Sequence, residues 1–284
     1  MKTGLVLEGG AMRGMFTAGV LDVFMENEVT FDGMVGVSAG AAFGCSFKSR
    51  QRGRALRYNL KYCRDKRYCS LYSLFATGDM YGADFCYYEL PKKLDIFDDK
   101  AFDENPMKFY AVCTDIESGK PCYFRCDRSD DEFTEILRAS ASMPLVSRIV
   151  EVGGKKLLDG GISDSIPIDF FEKEGYTRNI VVLTRPADYV KKKSSVIPLM
   201  KLKYKKYPHL VKAMENRHTV YNETLKYISE KEEKGEILVI RPRCDLGVSH
   251  AEHEREKLQN AYNEGVKEAR KRLSEIKAFL GITI

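Results

Sequence analysis

The sequence is short of histidine, of long apolar runs and of closely paired cysteines, and each shortage removes a class of protein. Its four histidines, His209, His218, His250 and His253, all lie late in the chain, so a reactive residue in the first two-thirds has no imidazole near it in sequence. No stretch reaches the ~20 consecutive apolar residues of a membrane-spanning helix. The run Gly4–Leu7 is too short for the core of a secretory signal and is broken by glycine from Gly9 onward, so it reads as a short buried strand. Eight cysteines stand at 45, 63, 69, 86, 113, 122, 126 and 244, and the tightest group, Cys113, Cys122 and Cys126, lacks the C-x2-C knuckles of zinc sites. They read as reduced thiols of a cytoplasmic protein. A chain of 284 residues can bury its core without disulfides or metal.

The net charge of +5 is modest and unevenly carried. Nine Lys or Arg stand between Tyr189 and Arg217 against one acid, Glu215. A nucleic-acid binder would carry a more general basic excess, so no nucleic-acid partner is expected. The segments 191-KKK-193 and 203-KYKKYPHL-210 suit peripheral contact with an anionic membrane, at the inner surface for a cytoplasmic protein. They read equally well as a lid, a linker or a solvated face.

Apolar spacing gives the order β-α-β-α at the start: a strand at 4–8, a helix over about 13–27, a strand at 32–37 and a small-residue helix from Ala39 to Phe47. Residues 50–99, rich in Tyr, Cys and charge, read as helices and loops that shape a pocket at the domain's edge. Strands are expected at 108–113 and 122–125 around a turn at Gly119, and a helix over 131–141. A short helix follows at 169–174, and 179–183 and 237–240 read as buried strands. The last helix is expected to start near Ser249, where Ser249 and Glu252 make a capping box, and to reach about Leu280. No internal repeat or low-complexity linker separates these parts. The expected division is a unit over 1–185 with an extension over 186–284 folded onto it.

Two glycine clusters fall at strand ends. Gly36-Val37-Ser38-Ala39-Gly40 fits G-x-S-x-G at a strand-to-helix junction, where flanking glycines remove the Cβ atoms that would clash across a sharp turn. Such a turn exposes the serine hydroxyl at a helix N-terminus, whose dipole favours developing negative charge. Gly9-Gly10-Ala11-Met12-Arg13-Gly14 offers consecutive N–H groups with little side-chain bulk, an oxyanion hole or a phosphate cradle. It is neither G-x-G-x-x-G nor a P-loop.

A nucleophile at Ser38 needs a base. An α/β-hydrolase places its elbow after several strands and keeps an acid between the serine and a late histidine, so an elbow this early argues against that fold. Asp159-Gly160-Gly161, at another strand end, is the better candidate, because two glycines let the backbone turn away while the carboxyl points at a neighbouring strand end. An ordinary aspartate is a weak base, and burial would raise its pKa. The pair His250 and His253, beside Glu252 and Glu254, reads either as metal ligands on one helix face or as solvated first-turn residues, and H-E-x-x-H is absent.

Taken together, the turn at 9–14, the elbow at 36–40, the triplet at 159–161 and the small residues Ala139-Ser140-Ala141-Ser142-Met143-Pro144 resemble the bacterial patatin-like phospholipase family over roughly residues 4–185. The resemblance implies a three-layer α/β/α fold with a central, mostly parallel sheet and a C-terminal extension. It implies a lipid acyl hydrolase acting on phospholipid or other acyl esters, with Ser38 as nucleophile, Asp159 as base and no metal or organic cofactor. The oxyanion hole would be Gly9, Gly10 and Ala11, with Arg13 facing a lipid phosphate and Gly14, Gly36, Gly40, Gly160 and Gly161 shaping the turns. Ala11 stands where the family has a third glycine, so the hole requires φ below zero there. Ser165 stands where the family often has Asn, a structural position. Two other readings stay open, a catalytically silent lipid- or partner-binding protein of the same fold and a Ser-His-Asp esterase.

Overall fold

The computed structural model describes residues 1–282. The strands are β1 (Lys2–Leu7), β2 (Gly33–Val37), β3 (Lys108–Asp115), β4 (Pro121–Arg125), β5 (Val150–Val152), β6 (Lys155–Asp159), β7 (Tyr176–Val182) and β8 (Ile237–Ile240). The helices are α1 (Met15–Glu26), α2 (Ala39–Lys48), α3 (Arg54–Tyr62), α4 (Leu71–Thr77), α5 (Asp99–Glu104), α6 (Asp131–Ser140), α7 (Ile168–Lys173), α8 (Ile197–Lys203), α9 (Pro208–Glu233), α10 (Arg255–Lys271) and α11 (Leu273–Leu280). A wider π-helix covers Asp84–Leu94.

One eight-stranded sheet runs in the order β5, β6, β3, β2, β1, β7, β8, with β4 also paired to β3. The pairs among β1, β2, β3, β7 and β8 are parallel, while β4, β5 and β6 pair antiparallel. Because successive strand residues face opposite sides, Leu5, Leu7, Met34 and Ile180 join one core under α1, α2, α6 and α10. Val6, Val35, Val37 and Val181 join the other with Phe171 of α7 and Tyr221 and Ile228 of α9. Both faces are covered, which accounts for the nearly continuous apolar runs in β1, β2 and β7. No helix among the described residues is long and apolar enough to cross a membrane.

The C-terminal third is built into this core. β8 extends the sheet beside β7. α10 lies against α1 so closely that a Cβ on Gly265 would stand 2.0 Å from the Phe16 carbonyl oxygen, and one on Gly19 would stand 2.1 Å from that of Tyr262. Three expectations change. The last helix begins at Arg255, not Ser249, and is interrupted at Arg272, giving α10 and α11. The Ser249 N–H and hydroxyl do reach the Glu252 carboxylate at 3.3 Å, but in the turn ahead of the helix. His250 and His253 therefore share no helix face, and of the two basic segments 191–193 lies in irregular chain ahead of α8 while 203–210 spans the end of α8, the turn after it and the start of α9.

Gly265→Ala should destabilise the fold by about 3 kcal/mol through overpacking against the α1 backbone. Lys267→Ala, on the exposed side of the same helix, should stay within about 0.5 kcal/mol. Urea unfolding of the two variants checks this.

Candidate active site

One edge of β3 places the two key strand ends. β2 pairs with β3 as far as Val37 opposite Val112, and β6 pairs with it from Asp159 opposite Cys113. β4 holds the other edge of β3 over Tyr110–Thr114, so β2 and β6 must share one edge, where they meet head to head. The residue after β2 is Ser38 and the last residue of β6 is Asp159.

Where the two strands stop, backbone groups need other partners. Ser140 Oγ accepts from the Ser38 N–H at 2.9 Å and donates to the Val112 carbonyl at 2.7 Å. The Ser142 carbonyl accepts from the Asp159 N–H at 2.8 Å. The small-residue segment thus grips both strand ends. Ser140 was legible as part of that segment, but its bond to the elbow was not.

Ser38 sits at φ 53° and ψ −120°, the strained geometry of a nucleophile turn. Close packing enforces the flanking glycines: a Cβ on Gly40 would stand 2.6 Å from the Leu7 carbonyl oxygen, and one on Gly36 would stand 2.6 Å from the Ala41 nitrogen. Gly14 packs against Phe43 and Ala39, and Gly160 against the Val112 carbonyl. Ser38 is only 8% exposed, so its hydroxyl is sheltered from bulk solvent rather than exposed to it as expected.

Asp159 is buried beside it. Its pKa is raised above the ordinary carboxylate value by burial, an effect opposed by the Ser38 hydroxyl, the Arg217 charge and the Gly161 N–H. That N–H donates to the carboxylate at 2.7 Å. Arg217 Nε and, at 2.8 Å, the Ser165 hydroxyl both donate to the Gly161 carbonyl, and the Thr114 hydroxyl donates to the Asp159 carbonyl at 2.8 Å. Ser165 therefore fixes the turn. Arg217 lies on α9, far along the chain, and no local pattern points to it.

The turn at 9–14 lies directly against the elbow, since a Cβ on Gly9 would stand 3.3 Å from that of Ser38. The N–H groups of Gly9, Gly10 and Ala11 make no hydrogen bond among the described residues. Ala11 adopts φ +47°, contrary to the negative φ expected. The chain enters a 3₁₀ turn over Ala11–Gly14 at once, and a left-handed residue makes the entry at a cost of about 1–3 kcal/mol. Beneath the turn, the buried Glu8 carboxylate accepts from the Thr184 N–H at 2.6 Å, the Thr184 hydroxyl at 3.1 Å and the Tyr221 hydroxyl at 2.6 Å.

Arg13 is 6% exposed, and its Nε has no hydrogen-bond partner. Burial and then neighbouring Arg185 lower its pKa, against the opposing pull of Glu8. Lys191 sits 4.1 Å over the Tyr221 ring, and burial with the nearby Arg217 charge brings its pKa down to about 7.

Ser38 opens on a cavity of about 330 Å³ that Ala11, Met12 and Met143 also line. Tyr58, Tyr87, Leu90, Phe133 and Leu137 form apolar parts of its wall, and Lys92, Asp99 and Asp131 line it as well. Much of this wall comes from residues 50–99, as expected. Neither Arg13 nor any of the four histidines lines it. His253 Nδ1 lies 2.5 Å from the Cys63 carbonyl, and a Cβ on Gly119 would touch His209.

The fold and site define a class, α/β proteins with a serine elbow at the end of a parallel strand and a glycine-rich turn against it. The sequence pattern of the patatin-like phospholipase family matches residues 5–171, and the chain belongs to that family. A domain of unknown function, DUF6363, matches residues 207–281. YjjU of Escherichia coli K12 is 29% identical over 66% of this chain and 53% of its own length. An NTE family protein of Mycobacterium tuberculosis H37Rv is 28% identical over 59% of this chain and 44% of its own. The chain thus spans about half the length of these relatives. Among solved structures, VipD from Legionella pneumophila aligns over 95% of this chain and 67% of its own at a TM-score of 0.44 and 11% identity.

Ser140→Ala leaves the buried Ser38 N–H without its acceptor and should cost about 1–3 kcal/mol. Ser140→Thr keeps the hydroxyl and should recover part of that loss. Thermal or urea unfolding of both variants measures it.

Proposed function

We propose that the protein hydrolyses acyl esters of lipids, phospholipids among them, through Ser38 and Asp159 without metal or organic cofactor. The carrying observation is the head-to-head meeting of β2 and β6 on β3, which sets a strained serine, itself lining a largely apolar cavity, beside a buried carboxyl. Asp159 takes the Ser38 proton as Oγ adds to the ester carbonyl carbon. The N–H groups of Gly9, Gly10 and Ala11, beside Ser38 and without partners among the described residues, hold the oxyanion from a turn that is left-handed at Ala11 instead of the negative-φ form expected from the sequence. The alcohol leaves with the proton from Asp159, and the acyl group stays on Ser38 as an ester. Asp159 then takes a proton from water as the water oxygen adds to the acyl carbon, the Ser38 Oγ leaves with that proton from Asp159, and the carboxylic acid departs with the dyad restored.

Burial raises the basicity of Asp159, as a base acting on a hydroxyl needs. The Ser38 hydroxyl bears on the Asp159 carboxylate, which favours this dyad over a Ser-His-Asp site. Arg13, with its free Nε, remains the proposed partner of a lipid phosphate, acting from beneath the turn rather than from the cavity wall. Residues 1–185 are proposed as the catalytic unit, with 186–284 bracing it through Arg217 and Tyr221. The proposed setting is the cytoplasm, where the eight free thiols stay reduced.

Ser38→Ala and Asp159→Asn should each lower kcat/KM for ester hydrolysis by at least about a thousandfold with unchanged circular dichroism. Retained turnover in either removes the dyad, and failure of a fluorophosphonate to label Ser38 in the wild type favours a silent, lipid-binding protein. Asp159 must be ionised to act, so kcat/KM should fall as pH drops through a pKa above the usual 3.8. Stability moves the opposite way, because the buried charge is a cost above that pKa and is relieved on protonation. Arg217→Met removes a charge that lowers this pKa and should move the acid limb of the pH profile upward.

A further inference from the structure

Large apolar side chains that a water-soluble surface would bury stand outward on two short helices. On α4, Leu71 and Tyr72 are exposed and Phe75 is 86% exposed. On α8, Leu199 is exposed and Leu202 is 73% exposed. The opposite face of α8 is anchored, since Ile197 and Met200 are buried with Leu158 and Ile162, which flank the Asp159–Gly161 turn.

The segment Met143–Arg148 straps the two helices together. Its Leu145 N–H donates to the Tyr204 hydroxyl at 3.1 Å, and Lys203 Nζ donates to the Leu145 carbonyl at 3.2 Å, both at the end of α8. On the other side, the Met80 N–H donates to the Val146 carbonyl at 2.8 Å, and Asp79 accepts from the Arg148 N–H at 2.8 Å, just beyond α4. Met143, at the start of the strap, lines the Ser38 cavity. Neither helix lines the cavity itself; the strap joins both of them to Met143, which does.

Cations surround the α8 side. Lys192, Lys193, Lys205, Lys206 and Lys212 are exposed. Among the described residues they make no ion pair, whereas Lys201 pairs with Glu215 at 2.8 Å. Outward apolar side chains amid unpaired lysines complement an anionic bilayer, which takes the former among its acyl chains and the latter against its phosphates.

We propose that α4, α8 and the strap Met143–Arg148 form a docking face for an anionic lipid bilayer, which sets the Met143 side of the Ser38 cavity against the membrane. The face deepens the proposed lipid hydrolase reading, and its test does not depend on turnover.

Full-length protein is sedimented with vesicles of phosphatidylcholine alone and of an equimolar mixture with phosphatidylglycerol. Binding is expected to the mixed vesicles and to weaken with added salt. Phe75→Ser with Leu202→Ser, and separately Lys192→Glu, Lys193→Glu, Lys205→Glu and Lys206→Glu combined, should each weaken it by at least about tenfold. Hydrolysis of a short water-soluble ester should stay unchanged in both variants, which also shows that they fold. The docking face is overturned if the wild type binds neither vesicle or if both variants bind like the wild type. It is overturned as well if sedimentation velocity shows a dimer that the Phe75/Leu202 variant dissociates while vesicle binding is absent, since the face is then a contact between copies. Vesicle binding with no ester hydrolysis keeps the docking face and removes the proposed function; hydrolysis without binding does the reverse.

Discussion

The arrangement depends on one edge of β3. A strand edge offers a fixed ladder of donors and acceptors, and here two strands with opposite directions use successive rungs of the same ladder. Their ends are forced together at Val112 and Cys113, and the ladder is interrupted there. Ser140 fills the interruption by taking the Ser38 N–H and giving its own proton to Val112, so the elbow is tied to the sheet at the point where regular pairing fails. Asp159 is held in the same manner by the Ser142 carbonyl. Register thus brings the two side chains together, so that the Ser38 hydroxyl bears on the Asp159 carboxylate.

Strain accumulates at that meeting. Ser38 and Ala11 both take positive φ without being glycine, each at a cost of about 1–3 kcal/mol. Such conformations persist only where the surroundings over-determine them. Around Ser38 the over-determination is the contact of Gly36 and Gly40 with backbone atoms; at Ala11 the chain passes directly into the 3₁₀ turn Ala11–Gly14. The left-handed residue 11 alters the expected form of the turn while leaving three successive N–H groups without partners beside Ser38.

The late part of the chain matters to the early part. Arg217 and Tyr221 stand one turn apart on α9, so they share a helix face, and that face reaches the carbonyl of Gly161 with one residue and Glu8 with the other. A single helix thereby braces two of the three turns. The positive field of Arg217 also moderates the cost of burying the Asp159 charge.

Local pattern in the sequence sufficed for the strand-turn-helix positions of the elbow and the glycine turn, for Asp159 at a strand end and for a sheet covered on both faces, because strand alternation, helix spacing and glycine at sharp turns are short-range effects. It misplaced the start of the last helix, since the Ser249–Glu252 bonds form equally well in a turn, and it did not find α8 and α9 in and beyond the basic stretch, where charge masked the apolar face. It did not foresee positive φ at Ala11, the gap-filling role of Ser140 or the reach of Arg217 and Tyr221. Those were decided by tertiary structure, because a partner for a backbone group left unpaired at a strand end, or for a buried carboxylate, is chosen by which distant side chain packing brings within about 3 Å, and sequence spacing carries no record of that distance.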